Sequence, residues 1–120
     1  MKLIAQILVG FVALAHLWFL TLEMFFWTKP LGLRTFGQTL QRAQDSAVLA
    51  ANQGLYNGFL AAGLIFGLVY PDPQAGRHIQ IFFLLCVIAA GAYGGYSVST
   101  KILLVQAAPA LLALLLLWLF

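Results

Sequence analysis

Charge is scarce in this sequence. Of 120 residues only 8% are Asp, Glu, Lys or Arg, against roughly 25% in a soluble domain. So little charge cannot cover a water-facing surface, which leaves no room for a separate soluble domain. Cysteine is scarcer still. Cys86 is single and sits in an apolar stretch, so it forms no internal disulfide and reads as a buried, inert thiol. The alternation of polar and apolar residues that marks a membrane β-barrel strand is missing. So are a glycine-rich phosphate loop, a Ser-His-Asp or Cys-His arrangement and any basic cluster dense enough for nucleic acid. The few His, Cys, Asp and Glu residues show no metal-ligand spacing, so neither a metal nor a cofactor is expected.

What is present is hydrocarbon, with 63% of the residues hydrophobic. Four runs carry no charge: 3–22, 46–71, 79–100 and 102–120. Each is close to or above the ~20 residues a helix needs to cross the bilayer core. The reading is an all-α, four-helix transmembrane bundle forming one integral membrane domain over 1–120, with helices at about 3–27, 46–70, 78–99 and 102–119. Lys2 followed by an apolar run and Ala13-Leu14-Ala15 resembles a signal peptide, but the run continues toward Trp27, which favours an uncleaved first helix.

Loop 28–45 holds Leu33, Phe36 and Leu40 at helical spacing beside Arg34, Gln38 and Arg42. That pattern suits a short interfacial helix, or a loop with scattered apolar residues. Asp45 or Ser46 is placed to cap the second helix. Pro71 to Gly76 reads as a turn. Pro109, inside the last helix, frees the carbonyl of Val105 and bends that helix. Trp27, Tyr70 and Trp118 suit interface anchors. Loops one and three carry Lys29, Arg34, Arg42 and Lys101, against Lys2 and Arg77 on the other side. The positive-inside rule then places those loops in the cytoplasm and both termini outside. The net charge of +3 suits anionic lipid heads.

Polar residues inside the runs single out a site. His16 falls near the middle of the first helix, and Glu23 lies about 10 Å further along nearly the same face. Asn52, Gln53, Tyr56 and Asn57 follow in the second helix, Tyr93 and Tyr96 in the third, and Gln106 in the fourth. All are assigned to the half of the membrane nearest loops one and three. Amides and acids in hydrocarbon need partners, so such residues usually line an interior site. His16 and Glu23 are the titrating candidates. The amides and Tyr93 are hydrogen-bond orienters, or, for Asn52, Gln53 and Asn57, glue between helices. For Glu23 the plain alternative is pairing with Lys29, Arg34 or Lys101, and for His16 a bond to Asn57 or a tyrosine. Gly54/Gly58, Gly63/Gly67 and Gly91/Gly95 recur at four-residue spacing, which suits close helix packing within one chain or between copies in a homo-oligomer.

Four groups of residues carry a resemblance: His16, Glu23, Met24 and Trp27; the run Leu49-Ala50-Ala51-Asn52-Gln53-Gly54-Leu55-Tyr56-Asn57-Gly58-Phe59-Leu60-Ala61; Ala90-Gly91 with Tyr93-Gly94; and Lys101-Ile102-Leu103 with Gln106, Pro109 and Ala110. Together they resemble the bacterial membrane family known as domain of unknown function 1304. The resemblance implies a four-helix inner-membrane protein and no particular activity. Three functions stay open. A binding module would hold a small organic or amphipathic molecule in a polar intramembrane pocket. A dimeric, proton-coupled exporter would use Glu23. An integral membrane enzyme would use His16 and Glu23 as acid and base on a lipophilic substrate.

Overall fold

Thr39 and Asp72 decide where two of the long helices begin. The Thr39 hydroxyl accepts the backbone N–H of Arg42 at 3.2 Å, and the Asp72 carboxylate accepts that of Ala75 at 3.1 Å. Each satisfies an N–H that the first helical turn leaves without a partner. Pro73 then occupies the first turn, where its missing N–H costs nothing. The computed structural model describes every residue from Met1 to Phe120 and is entirely helical. Its helices are α1 Lys2–Phe25, α2 Pro30–Phe36, α3 Leu40–Val69, α4 Pro73–Ser97 and α5 Thr100–Leu119.

Three of them, α1, α4 and α5, are long and apolar enough to cross a membrane. The sequence reading expected four spans. The 30 residues of α3 amount to about 45 Å at 1.5 Å per residue, so its length suffices. Asn52, Gln53 and Asn57 dilute its apolar character. Its start also departs from expectation. Neither Asp45 nor Ser46 caps it, because Thr39 starts the helix earlier. Asp45 accepts from Gln41 Nε2 at 2.9 Å, and Ser46 Oγ donates back to the Arg42 carbonyl at 2.8 Å. The interfacial segment folds as α2, which Gly37 stops by adopting the left-handed conformation (φ 62°) that glycine takes without strain. Leu40 therefore belongs to α3.

The chain forms two compact units, Met1–Leu14 with Leu60–Phe120, and Ala15–Phe59. The first is built on an apolar core of Ala5, Val9, Val12 and Ala13 of α1, Leu64 of α3, Leu84 and Val87 of α4, and Ala110, Ala113 and Leu117 of α5. The buried residues of α4, Gly76, Gln80, Leu84, Val87 and Gly91, recur every three or four positions, as one face of a 3.6-residue helix must. Gly67 and Gly76 let α3 and α4 approach at backbone distance, since a Cβ at Gly76 would lie 2.6 Å from the Gly67 carbonyl oxygen. In α5 the helix widens over Leu103–Ala107, where the Ala108 N–H bonds five residues back to Leu103. Pro109 has no N–H for the Val105 carbonyl and its ring crowds that oxygen, so the ladder slips by one residue. Gly91 accommodates the widened turn, because a Cβ there would lie 2.8 Å from the backbone nitrogen of Ala107.

Arg77 closes the end of α5. Its guanidinium donates from Nε to the Leu117 carbonyl at 2.9 Å, from Nη2 to the same carbonyl, and from Nη2 to the Trp118 carbonyl at 3.2 Å. Terminal carbonyls that lack N–H partners thus receive a cation at the negative end of the helix dipole.

Candidate functional site

The second unit is organised around a polar contact. Glu23 stands in the last turn of α1, and Asn57 lies in the middle of α3. Asn57 Nδ2 donates to Glu23 Oε1 at 2.5 Å, and both side chains are buried. A carboxylate in the last turn of a helix lies at the negative end of the macrodipole. Placing it there and out of water costs free energy twice, so this is a poor position for an acid that only has to fill space.

Glycine makes the contact possible. A Cβ at Gly54 would meet Met24 Cγ at 2.8 Å, Glu23 Cβ at 3.1 Å and the Leu20 carbonyl at 3.3 Å. A Cβ at Gly58 would meet Leu20 Cδ1 at 2.6 Å. Gly54, Asn57 and Gly58 share one face of α3, and Leu20, Glu23 and Met24 share one face of α1. The missing side chains bring the two backbones close enough for the short Asn57 amide to reach the carboxylate.

The connection between the helices is held by its own contacts. Trp27 Nε1 donates to Ser46 Oγ at 3.1 Å, and the Trp27 ring lies 4.9 Å from that of Phe36. Gly32 of α2 sits directly against the Phe26 carbonyl, where no side chain fits. The loop is thereby folded tightly over the end of α1.

The other expected site residues are placed as follows. His16 is buried at 1% exposure, with its ring edge-on to Phe19 at 5.2 Å, about 10 Å before Glu23 along α1. Asn52, Gln53 and Tyr56 lie on an exposed face of α3. Tyr93 and Tyr96 are exposed on α4, and Gln106 is half-buried in the wide turn of α5. Glu23 and Asn57 are thus in contact, while the Asn-Gln-Gly-Leu-Tyr-Asn stretch divides between two faces of its helix. The partner of Glu23 is a neutral amide, not Lys29, Arg34 or Lys101, and the amide nitrogen of Asn57 serves Glu23. No group of three or more His, Cys, Asp and Glu side chains converges.

Sequence reasoning passed over Gln80. It is buried at 3%, donates from Nε2 to the Gly67 carbonyl at 3.1 Å, and leaves its Oε1 without a partner. The signal was available, since Gln80 falls in register with Gly76, Leu84 and Val87.

The family model described as Protein of unknown function (DUF1304) matches residues 10–118. The Uncharacterized protein YpaA of Lactococcus lactis subsp. lactis (strain IL1403) is 32% identical over 117 residues, which cover 96% of this chain and 97% of the relative. No solved structure matches. The matched span takes in both partners of the Glu23–Asn57 contact and nearly the whole helical chain, which belongs to the family Protein of unknown function (DUF1304).

Proposed function

We propose that this chain is a multi-pass protein of the bacterial inner membrane, with α3 as a fourth span, whose Glu23–Asn57 centre binds a small amphipathic molecule. Lys29, Arg34, Arg42 and Lys101 favour an orientation with the α1–α3 connection and the α4–α5 link in the cytoplasm. The observation that carries the binding reading is a buried carboxylate at the unfavourable end of a helix dipole, held by a neutral amide and by no cation. A hydrophobic side chain of similar volume would serve packing at least as well. A retained acid in that position suits a ligand with a basic nitrogen and an apolar body, the nitrogen toward Glu23 Oε1 and the body along the stretch of α1 between His16 and Glu23. His16 is the second polar group that a ligand extended along α1 would meet.

Proton-coupled export is the second reading, favoured by the same uncompensated carboxylate. Both are tested with the purified protein in phospholipid nanodiscs, using tetraphenylphosphonium as the probe cation. Saturable binding is expected, weakened at least tenfold in Glu23→Gln and in Asn57→Leu. Proton release on binding, lost in Glu23→Gln, favours the exporter. Binding without proton release favours the module. Unchanged binding in Glu23→Gln contradicts both.

A further inference from the structure

The half of the Asn-Gln-Gly-Leu-Tyr-Asn stretch that faces away from Glu23 is left over from the reading above. Asn52, Gln53 and Tyr56 are exposed, and neither the Asn52 amide nor the Tyr56 hydroxyl, at 61% exposure, bonds to this chain. With α3 as the fourth span proposed above, on which this inference rests, their depth makes this costly. The indole of Trp27 bonds to Ser46, and a tryptophan indole marks the level of the lipid headgroups. At roughly 1.5 Å per residue, Asn52 lies about 9 Å and Tyr56 about 15 Å beyond Ser46 along α3. At that depth lipid offers no hydrogen-bond partner.

We propose that this face of α3 is the contact with a second copy of the chain, related by a two-fold axis along the membrane normal. An amide and a hydroxyl each donate and accept. An identical helix therefore offers each group the partner it lacks at its own depth, which is the self-complementarity of a two-fold interface. The flanking residues extend the face. Leu49, Asn52, Tyr56 and Phe59 recur at alternating steps of three and four, the spacing of a left-handed helix–helix seam. Leu49 is 72% and Phe59 56% exposed. A seam that alternates apolar and polar groups over nearly three turns fits a helix better than a compact ligand. The glycine pairs are not open for this purpose. Gly54 and Gly58 meet α1, Gly63 meets Phe83, Gly67 meets Gln80, Gly91 meets Ala107 and Gly95 meets Leu103.

The test uses the full chain in nanodiscs and in native membranes, with Cys86 replaced by serine. Single cysteines at Asn52 and Tyr56 should cross-link to dimers under mild oxidation at least tenfold faster than one at Ile65, half a turn round α3 from Tyr56. The Asn52→Leu/Tyr56→Phe variant should raise the dimer dissociation constant at least tenfold, with helical circular dichroism unchanged. A wild-type chain that stays monomeric at every protein-to-lipid ratio overturns the proposal. So does equal cross-linking at Ile65, or a dimer indifferent to the double substitution. The cross-linking rates decide even if that variant fails to fold, and they do not depend on cation binding at Glu23.

Discussion

The two units solve helix packing differently. Met1–Leu14 with Leu60–Phe120 packs alanine, valine and leucine into one apolar cluster, and its single buried amide, Gln80, keeps one bond and forgoes another. Ala15–Phe59 is shorter and places a carboxylate and an amide where the first places methyl groups. Apolar packing is tolerant of swaps that conserve volume, since many side chains share the energy, and loses stability in proportion to the cavity that a truncation leaves. A buried polar pair is intolerant, because each group depends on the other. The intolerant unit holds the proposed site, while the tolerant one contains most of the three clearly apolar spans.

Substitutions sharpen this contrast, with stability measured for the folded protein in bilayers or mild detergent. The largest effect is expected in the apolar core. Leu84 is fully buried, and Leu84→Ala should cost about 2–5 kcal/mol while leaving tetraphenylphosphonium binding at Glu23 intact in the folded fraction. Gly54→Val should cost about 1–3 kcal/mol by forcing α3 away from α1, and it should also abolish binding by parting Asn57 from Glu23. Equal binding in the two variants would break the assignment of structure to one unit and site to the other. Arg77→Gln should cost about 1 kcal/mol, with faster amide exchange confined to the last turn of α5. Gln80→Leu should be the mildest, within about 1 kcal/mol of wild type, because the lost bond to Gly67 is offset by removal of an unpartnered oxygen.

Much of this architecture was legible in the sequence. All four long uncharged runs fold as helices, three of them long and apolar enough to cross a membrane, and Pro109 announced a disturbance in the last of them. The form of that disturbance, a widened turn against Gly91, needed the neighbouring helix. The start of α3 was misplaced because Asp45 and Ser46 are strong cap formers at the edge of an uncharged run, while Thr39 lay in what looked like loop. Asp72-Pro73 was read as turn alone, although a cap followed by proline in the first helical turn is also a start signal. His16, Glu23 and Asn57 were singled out from polarity and depth. The bond between Glu23 and Asn57 was not legible, because it joins residues 34 apart in sequence and depends on which glycine faces which helix. For the same reason depth alone could not separate Asn57, which faces α1, from Asn52 and Tyr56 on the exposed face.

The account turns on mutual dependence between Glu23 and Asn57. A double-mutant cycle of Glu23→Leu, Asn57→Leu and the pair, read as unfolding free energy in bilayers, measures that dependence alone. The predicted result is a double variant more stable than the sum of the single losses implies, with a coupling energy of at least about 1 kcal/mol. Strictly additive losses would mean that the carboxylate and the amide do not hold each other, and would contradict the account.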